Sequence, residues 1–575
     1  MNKEVPVHGR LLSRVSRPLA PFVRGLARLG WRPRVAHRLG LDRLTAAASA
    51  AGSSSPGGAE RARRPDTPLG GLAAREGAKV GRIGERSAIW ALAIIVMACA
   101  LVVVRHGSGV SSGADGSGYY NLARLLARGR STWELRPVAG VTMGAYNPSI
   151  FTPLGFSPGK RPGELVPVYE PGLPLHLALA APFVGWDNAC VLVNVLAGIA
   201  TLLLIYYLAR RLGLPPWWGV AAVVLFALLP LSPMFYTGLF SEALATAWCA
   251  AVIALALASR RSAVLAAVAG FGFGIAVTVR PTDALLVLAI AVALDWRRRT
   301  LLSFVAGGLL VAIAFMSYNL HTYGHPIATG YWNMPAEFRL SYFWPRLEHF
   351  ALWLSRFWTP LALLLFLGAL YFAIRRERRH LLVTAWFLPF VAFYSFYSHS
   401  DHAWWYLRFL LPGIPGLLLG ALMAAFDMKQ AAVRRWGSRR AVRPLLAGVL
   451  LGAAAWAGAA SLHWVRFFDV IHLMRGDVEY GRDVAWMQRM IPANTAVVCM
   501  QVSGAVYTYS HFPVIRVDIL DPASAKRLAH EVAGHRTPVF ALLFEFELPR
   551  FQQRYGSAFR EVGRRGRATL WKLND

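Results

Sequence analysis

The stretch "AIWALAIIVMACALVVVR", residues 88–105, is an apolar run that ends at a single arginine. A helix rises about 1.5 Å per residue, so a bilayer core about 30 Å thick needs roughly 20 such residues. Similar runs recur along the 575-residue chain, which is 56% apolar and only 16% charged. The pattern predicts a polytopic α-helical membrane protein with about eleven transmembrane helices. These candidate spans are 88–105, 188–209, 217–235, 240–258, 263–280, 282–296, 301–319, 350–374, 381–398, 405–427 and 444–465.

The basic residues between these runs predict the orientation of the chain. Cytoplasmic loops of membrane proteins carry an excess of Lys and Arg, and here the basic clusters follow alternate spans. We therefore expect a multi-pass protein of the plasma (inner) membrane with a cytoplasmic N-terminus. The loop 106–187 and the C-terminal residues then lie outside the cytoplasm. The clusters are Arg210–Arg211, Arg260–Arg261, Arg297–Arg299, "RRERR" at 375–379 and the basic segment 429–443.

The chain has a net charge of +31 and four cysteines, and neither feature indicates a nucleic-acid-binding protein, a zinc protein or a disulfide-rich protein. Most of the positive charge lies at helix ends and in the N-terminal tail, where anionic lipid is the expected partner. A nucleic-acid partner is not predicted, because no basic-aromatic binding module is visible. The cysteines lie outside any CxxC motif, so neither a zinc site nor a disulfide framework is indicated.

Changes in composition divide the chain into three parts. Residues 1–87 form a basic tail, which we expect to be disordered and cytoplasmic. Residues 88–466 form the transmembrane domain with the large first outer loop 106–187, whose apolar segment 172–186 is too short to span and should lie along the outer surface. Residues 467–575 alternate short β runs with helical patterns, which predicts a small extracytoplasmic α/β domain.

Four charged residues are predicted to gather at the outer ends of the spans. Ionisable groups at membrane depth are costly, so they mark functional sites by default. Asp115, in "GADGSGYY", precedes a helical pattern whose N-terminal dipole favours a carboxylate, and such a group can remove a proton from an acceptor. Arg280 in "TVRPTD" and Arg408 in "WWYLRFLLP" suit a lipid phosphate, because the planar guanidinium donates hydrogen bonds in pairs. Glu242, in "GLFSEALATAW", adds a second acid.

Simpler roles for the same residues stay open at this stage. Either arginine could reach lipid headgroups or pair with an acid. Asp115 could belong to an ordinary Asp-Gly turn, and Glu242 could be a helix N-terminal acid beside Ser241. The two acids could also bind a divalent cation through oxygen ligands, so a metal cofactor is neither assigned nor excluded.

Two further groups of polar residues lie in the outer loops. The "HSDH" group at 399–402 has metal-ligand residue types without a characteristic spacing, so we assign no metal site there. Glu170, in "VYEPGLPLH", could simply orient the turn before the surface helix. Predicted substrate contacts are Tyr119, Tyr120, Glu170, His325 and His402.

The order of these motifs resembles the membrane-embedded C-type glycosyltransferases, which include the protein O-mannosyltransferases and the lipid A aminoarabinose transferases. The resemblance lies in Asp115 followed by Tyr119, Ala123–Arg124 and Gly129, then in "YEPGLPL", "YYLARRLG", "FSEALATA", "VRPTD", "GHPIATGY" and "YLRFLLP". It covers about residues 88–425 and, more loosely, the C-terminal domain. Glu170 replaces the first proline of a Tyr-Pro-Pro-Gly-like turn, no acid follows Asp115 directly, and no Asp-x-Asp occurs.

The resemblance implies an inverting glycosyltransferase, a hexosyl- or pentosyltransferase, that takes a sugar from a polyprenyl-phosphate donor. Asp115 then takes the role of catalytic base, Glu242 matches a second acid near the site, and Arg280 and Arg408 contact the donor phosphate. The acceptor, whether lipid, glycan or protein, is not predicted.

Two other functions compete with this one. A transporter or lipid flippase should show inverted repeats and polar groups at the membrane midplane, whereas the polar groups here lie at one rim. A sensor or assembly scaffold would use the C-terminal domain as its working part, and would leave Arg280 and Glu242 without a role.

Overall fold

The computed structural model describes residues 68–331, 334–437, 441–555 and 558–574. Most of the predicted N-terminal tail therefore lies outside the described residues. The first seven helices are α1 (Pro68–His106), α2 (Gly113–Leu126), α3 (Gly172–Val184), α4 (Trp186–Arg211), α5 (Pro216–Leu228), α6 (Leu231–Thr237) and α7 (Ser241–Ala258). The next eight are α8 (Ala263–Val279), α9 (Val287–Ala293), α10 (Arg298–Tyr323), α11 (Phe343–Trp358), α12 (Pro360–Ile374), α13 (Arg378–Ser395), α14 (Ile414–Trp436) and α15 (Val442–Phe467).

By length and composition, six helices among the described residues could cross a membrane, or up to eight if each of two bent pairs is one span. The predicted count of about eleven is thus not confirmed. The six are Ile83–His106, Trp186–Arg211, Ser241–Ala258, Arg298–Tyr323, Trp404–Trp436 and Val442–Met490. The bent pairs are Pro216–Leu228 with Leu231–Thr237, at 65°, and Leu340–Trp358 with Pro360–Ile374, at 114°.

The difference arises because several apolar runs fold as short or broken helices. The predicted span 263–280 is a helix of 17 residues, and the predicted span 282–296 is a 3-10 turn, Pro281–Leu286, followed by the seven-residue α9. Proline supplies no backbone N–H and ends regular helices, and Pro230 and Pro360 stand at the two sharp bends. Hydropathy measures the apolar length of a segment but not the direction of its backbone.

The first loop is an ordered layer of short elements. It holds α2, a three-stranded antiparallel sheet and the surface helix α3. In this sheet the strand β3 (Glu164–Pro167) lies between β1 (Trp133–Glu134) and β2 (Phe156–Pro158). Helix α3 has 13 residues, which at about 1.5 Å each is too short to span a bilayer. Its predicted position along the membrane surface stays a prediction.

The C-terminal residues form a five-stranded mixed sheet flanked by helices. The strands are β4 (Ala496–Cys499), β5 (Val514–Arg516), β6 (Val539–Phe544), β7 (Phe559–Arg565) and β8 (Ala568–Leu573), in the order β5-β4-β6-β8-β7. Pairings of β4 are parallel, and those of β8 are antiparallel. The helices are α16 (Val470–Leu473), α17 (Val478–Met490), α18 (Ser503–Tyr509), α19 (Pro522–Gly534) and α20 (Leu548–Tyr555).

The C-terminal sheet and the first loop share their hydrophobic cores. One buried cluster joins Leu125 and Phe156 of the loop to Val506 and Leu542 of the C-terminal part. A second cluster joins Phe151 and its loop neighbours to strands of the sheet. The two parts, which the sequence places in separate domains, therefore pack as one body on the end of the bundle that carries Asp115.

Candidate active site

Asp115 lies in the first turn of α2, which begins two residues before the acid and not after it as the sequence pattern predicts. The helix begins after Ser112, which has extended backbone, and Gly113 takes a left-handed φ of 50° to make the turn into the helix. The positive end of the helix dipole favours a carboxylate at this position. The Asp115 side chain keeps 24% of its exposure, so an incoming substrate can reach it.

Four charged side chains meet at this point in one continuous network. Arg408 donates from Nη1 to Asp115 Oδ2 at 3.1 Å, and its Nε lies 3.5 Å from Glu242 Oε1. Arg280 donates from Nη1 to the same Glu242 oxygen at 2.5 Å. The buried carboxylate of Glu242 thus contacts two guanidinium groups, and one of these, that of Arg408, also contacts Asp115. The formal charges of the four groups sum to zero.

Arg280 is fixed more firmly than Arg408. Besides Glu242, it donates to Ser241 Oγ at 3.2 Å and to the Tyr394 hydroxyl at 3.2 Å. Its side chain is 12% exposed, against 2% for Glu242. Arg408 lies over the rings of Phe240 and Phe409, with its Cζ 5.5 and 5.4 Å from the ring centroids. Arg408 can therefore exchange ionic partners more readily than Arg280.

Three tyrosines lie near enough to Asp115 for its charge to act on them. Tyr119 is buried and donates to Ser241 Oγ at 3.1 Å, and its ring lies 4.8 Å from that of Tyr169. Tyr169 in turn lies 6.1 Å from Tyr331, which is 38% exposed. Burial raises the pKa of Tyr119 far above its ordinary value, and the charges of Asp115 and Glu242 raise it further. The phenol therefore stays protonated and serves as a hydrogen-bond donor. The aromatic faces offer a surface on which a sugar ring can stack.

The remaining predicted substrate residues do not join the network. The Tyr120 ring lies against Trp186 and Tyr509 rather than Asp115. His325 is exposed and accepts from the Ile327 N–H at 3.4 Å. His402 is exposed beside His399 and Tyr406, with ring centroids 4.9 and 5.6 Å away. Tyr120, His325 and His402 therefore have other neighbours than the four charged residues of the network.

Glu170 is buried without a counter-charge. Its side chain is 3% exposed, and neither carboxylate oxygen has a hydrogen-bond partner among the described residues. Burial raises its pKa to about 8, because the ionised form would lose its hydration. Glu170 is therefore largely neutral at pH 7 and does not act as a fixed negative charge.

Several residues of the site carry no sequence signal of their own. Ser241 and Tyr394 bind Arg280, and Tyr169 lies beside Tyr119. Ser241 could have been inferred from its place next to Glu242, but Tyr394 lies in an apolar aromatic run. Asp283, in "VRPTD", is fully buried, and it interacts with the Cys249 side chain and with the charge of Arg280.

The donor set around Asp115 fits an arginine rather than a metal ion. Arg408 lies between Asp115 and Glu242 and supplies the positive charge that a cation would bring there. One group of potential metal ligands does occur among the described residues, at Glu377, His380 and Asp427. Arg379 donates to both Asp427 oxygens at 2.7 Å, so this carboxylate is already paired.

The C-terminal part backs the helix that carries Asp115. Helix α18 packs against α2 so closely that a Cβ added to Gly504 would lie 2.0 Å from Ser117 Oγ. Thr508 Oγ1 lies 2.8 Å from Asn121 Oδ1 and 2.8 Å from Ser111 Oγ. The position of Asp115 therefore depends on a segment almost 400 residues away in the sequence.

Residues 176–321 match the family model described as dolichyl-phosphate-mannose-protein mannosyltransferase. This segment is about a quarter of the chain and carries Glu242 and Arg280 of the network. The resemblance to the membrane-embedded C-type glycosyltransferases is confirmed. No curated protein sequence matches the chain.

Three solved structures to which this chain is similar share little sequence with it. ArnT from Cupriavidus metallidurans bound to undecaprenyl phosphate has a TM-score of 0.46 at 13% identity, over 84% of this chain and 97% of that one. The archaeal oligosaccharyltransferase AglB from Archaeoglobus fulgidus, in complex with an inhibitory peptide and a dolichol-phosphate, has a TM-score of 0.49 at 11% identity, over 80% and 70%. The arabinofuranosyltransferase AftD from Mycobacteria has 0.47 at 12% identity, over 84% and 41%.

Proposed function

We propose that this multi-pass membrane protein is a glycosyltransferase that moves a sugar from a polyprenyl-phosphate donor to an extracytoplasmic acceptor with inversion. The observation that carries the proposal is the network in which Arg408 joins Asp115 to Glu242 and Arg280. The family similarity over residues 176–321 supports a lipid-phosphate sugar donor. The predicted orientation puts this end of the bundle on the extracytoplasmic side, together with the C-terminal sheet.

Asp115 acts as the general base in this mechanism. It is the more exposed of the two acids in the network, at 24% against 2% for Glu242, so only Asp115 is open to an acceptor. Its carboxylate takes the proton as the acceptor oxygen or nitrogen attacks the anomeric carbon. Attack from the face opposite the phosphate breaks the bond to the leaving oxygen and inverts the anomeric centre.

Arg408 connects the proton transfer to the departure of the phosphate. While Asp115 is ionised, Arg408 is divided between Asp115 and Glu242. When Asp115 accepts the proton it becomes neutral, and the guanidinium is then free to bind the negative charge that develops on the lipid phosphate. Because the network is neutral at the start, each step keeps charge balanced in a region of low polarity.

Glu242 and Arg280 form the fixed part of the site. Glu242 orients both guanidinium groups, and Arg280 presents its remaining donors toward the phosphate while Ser241 and Tyr394 hold it in place. Such fixed donors stabilise developing charge without reorganising during the reaction. Tyr169 and Tyr331 provide the surface on which the transferred sugar stacks.

The test is a transfer assay with the purified full-length chain. The protein is incubated with a panel of undecaprenyl-phosphate hexoses and pentoses and with membrane lipids, glycans and peptides as acceptors, and the products are identified by mass spectrometry and by the anomeric configuration in NMR. We expect transfer from at least one donor, with inversion. Asp115→Asn should reduce transfer about 10²–10⁴-fold.

Asp187→Asn is the matched control, because Asp187 is an exposed acid in the first turn of α4, outside the network. It should transfer at the wild-type rate. Transfer by Asp115→Asn at the wild-type rate would contradict the assignment of the base. Movement of intact lipid-linked sugar across proteoliposome membranes, without sugar transfer, would favour the transporter or flippase alternative.

A further inference from the structure

A cavity lies beside α1, and none of the four charged residues of the active-site network lines it. It has a volume of about 380 Å³ and is bounded by α1, α4, α5 and α15. Ala98 and Val102 of α1 form one wall, Gly198 of α4 another, and Val465 and Ile471 lie at the end near the C-terminus of α1. No sugar or phosphate chemistry of the proposed reaction uses this space.

The lining is suited to hydrocarbon and not to water. Its two hydroxyl groups are already bonded inside the protein: Ser232 donates to Phe226 O at 2.6 Å, and the Tyr236 hydroxyl lies 2.9 Å from Thr201 Oγ1. A buried water needs two to four polar partners, which these walls do not offer. Helix α1 is little buried, with large apolar side chains such as Ile94 and Met97 exposed. Hydrocarbon from the bilayer can therefore reach the cavity.

The end of the cavity near the C-terminus of α1 carries positive charge. Arg105 and His106 follow the lining residues Val102 and Val103, and His472 follows Ile471. The rings of His106 and His472 lie 4.9 Å apart, and the Arg475 charge acts on His106.

The polar groups at this end leave room for an anionic ligand. Both Arg105 and Arg475 are exposed. The nearby acid Asp469 is occupied by His472, with the two atoms Oδ1 and Nδ1 2.7 Å apart. The Nδ1 atom of His106 is buried and has no hydrogen-bond partner among the described residues.

We propose that this cavity holds an acyl chain of an anionic glycerophospholipid whose phosphate lies against Arg105 and Arg475. The apolar lining accounts for the chain, and the basic end accounts for the charge of the headgroup. The bound lipid attaches α1 to the rest of the bundle, since the chain fills the space between α1 and helices α4, α5 and α15. This site is separate from the Asp115 network and does not depend on the proposed transfer reaction.

Native mass spectrometry of the purified full-length chain tests the proposal. The detergent-solubilised protein is mixed with phosphatidylglycerol, with phosphatidylethanolamine of the same acyl chains, or with undecaprenyl phosphate, and the retained lipid is counted. We expect preferential retention of phosphatidylglycerol. The double variant Arg105→Gln/Arg475→Gln should lose this preference, with retention of phosphatidylglycerol falling about fivefold per arginine. Arg86→Gln, at the other end of the candidate span Ile83–His106, should retain the preference.

A pair of variants on one helix tests the cavity itself. Ala98→Phe fills the space, whereas Ala93→Phe adds the same side chain to an exposed position of α1 outside the lining. Both alanines are exposed, so both proteins should fold, which gel filtration checks. Ala98→Phe should retain less phosphatidylglycerol than Ala93→Phe. Equal retention by these two variants, equal retention of the two phospholipids, or selective capture of undecaprenyl phosphate would each overturn the proposal.

Discussion

The substitution Glu242→Gln tests the charge network independently of catalysis. Glu242 is 2% exposed, and its Oε1 lies 2.5 Å from Arg280 Nη1 and 3.5 Å from Arg408 Nε. Glutamine keeps the size of the side chain but removes the charge that both guanidinium groups share. Loss of one partner from a buried ion pair costs about 3–5 kcal/mol, because the remaining charge stays buried and unpaired. We expect a decrease in the free energy of unfolding of this size.

The assay is denaturant unfolding of the purified protein in micelles, followed by tryptophan fluorescence. Asp115→Asn is the matched substitution at the exposed end of the same network, and it should cost about 1 kcal/mol or less, since this acid is 24% exposed. Glu85→Gln is the outside control, because Glu85 is 54% exposed and 3.9 Å from Arg210. It should change the free energy of unfolding by less than about 0.5 kcal/mol.

A double variant separates charge from packing. Arg280→Gln/Glu242→Gln also removes the guanidinium group that loses its ion-pair partner in Glu242→Gln, whereas Arg408 keeps Asp115, so the double variant should be more stable than Glu242→Gln alone. Equal destabilisation by Glu242→Gln and Asp115→Asn would refute the reasoning, because it would mean that burial does not distinguish the two acids.

Three further predictions concern the surroundings of the site. Gly504→Val should displace α2 through Ser117 and lower transfer on the order of 10²-fold in the transfer assay, whereas Gly534→Val, where an added Cβ meets no atom within 4 Å, should leave transfer unchanged. Transfer should persist after EDTA treatment, because Arg408 already supplies the positive charge between the two acids; loss of transfer, restored by Mg²⁺ or Mn²⁺, would contradict this. The pKa of Glu170 is raised from 4.5 to about 8, so the wild type should lose stability as the pH rises through this range. The melting temperature of Glu170→Gln should therefore exceed that of the wild type at pH 8 and equal it below about pH 4.5; equal values at pH 8 would refute the pKa shift.

The sequence pattern predicted helices and strands well where the element depends only on the residues within it. Residues 467–575 contain alternating strands and helices, and the helical pattern beside Asp115 is α2, whose first turn includes the acid. The number of spans was harder to predict. Residues 282–296 and the broken pairs have enough apolar length, but prolines and tight turns redirect their backbone, and hydropathy does not record direction.

The sequence by itself determined that the chain is a membrane protein and that Asp115, Glu242, Arg280 and Arg408 are its unusual charges, because apolar length and the cost of charge at membrane depth are local properties. Only the tertiary structure decided that these four side chains touch one another, and that Tyr120, His325 and His402 stand apart from them. It also showed that α18 supports α2 and that Glu170 is buried without a partner. Such contacts join residues hundreds of positions apart, and they depend on how helices pack, which no periodicity in the sequence encodes.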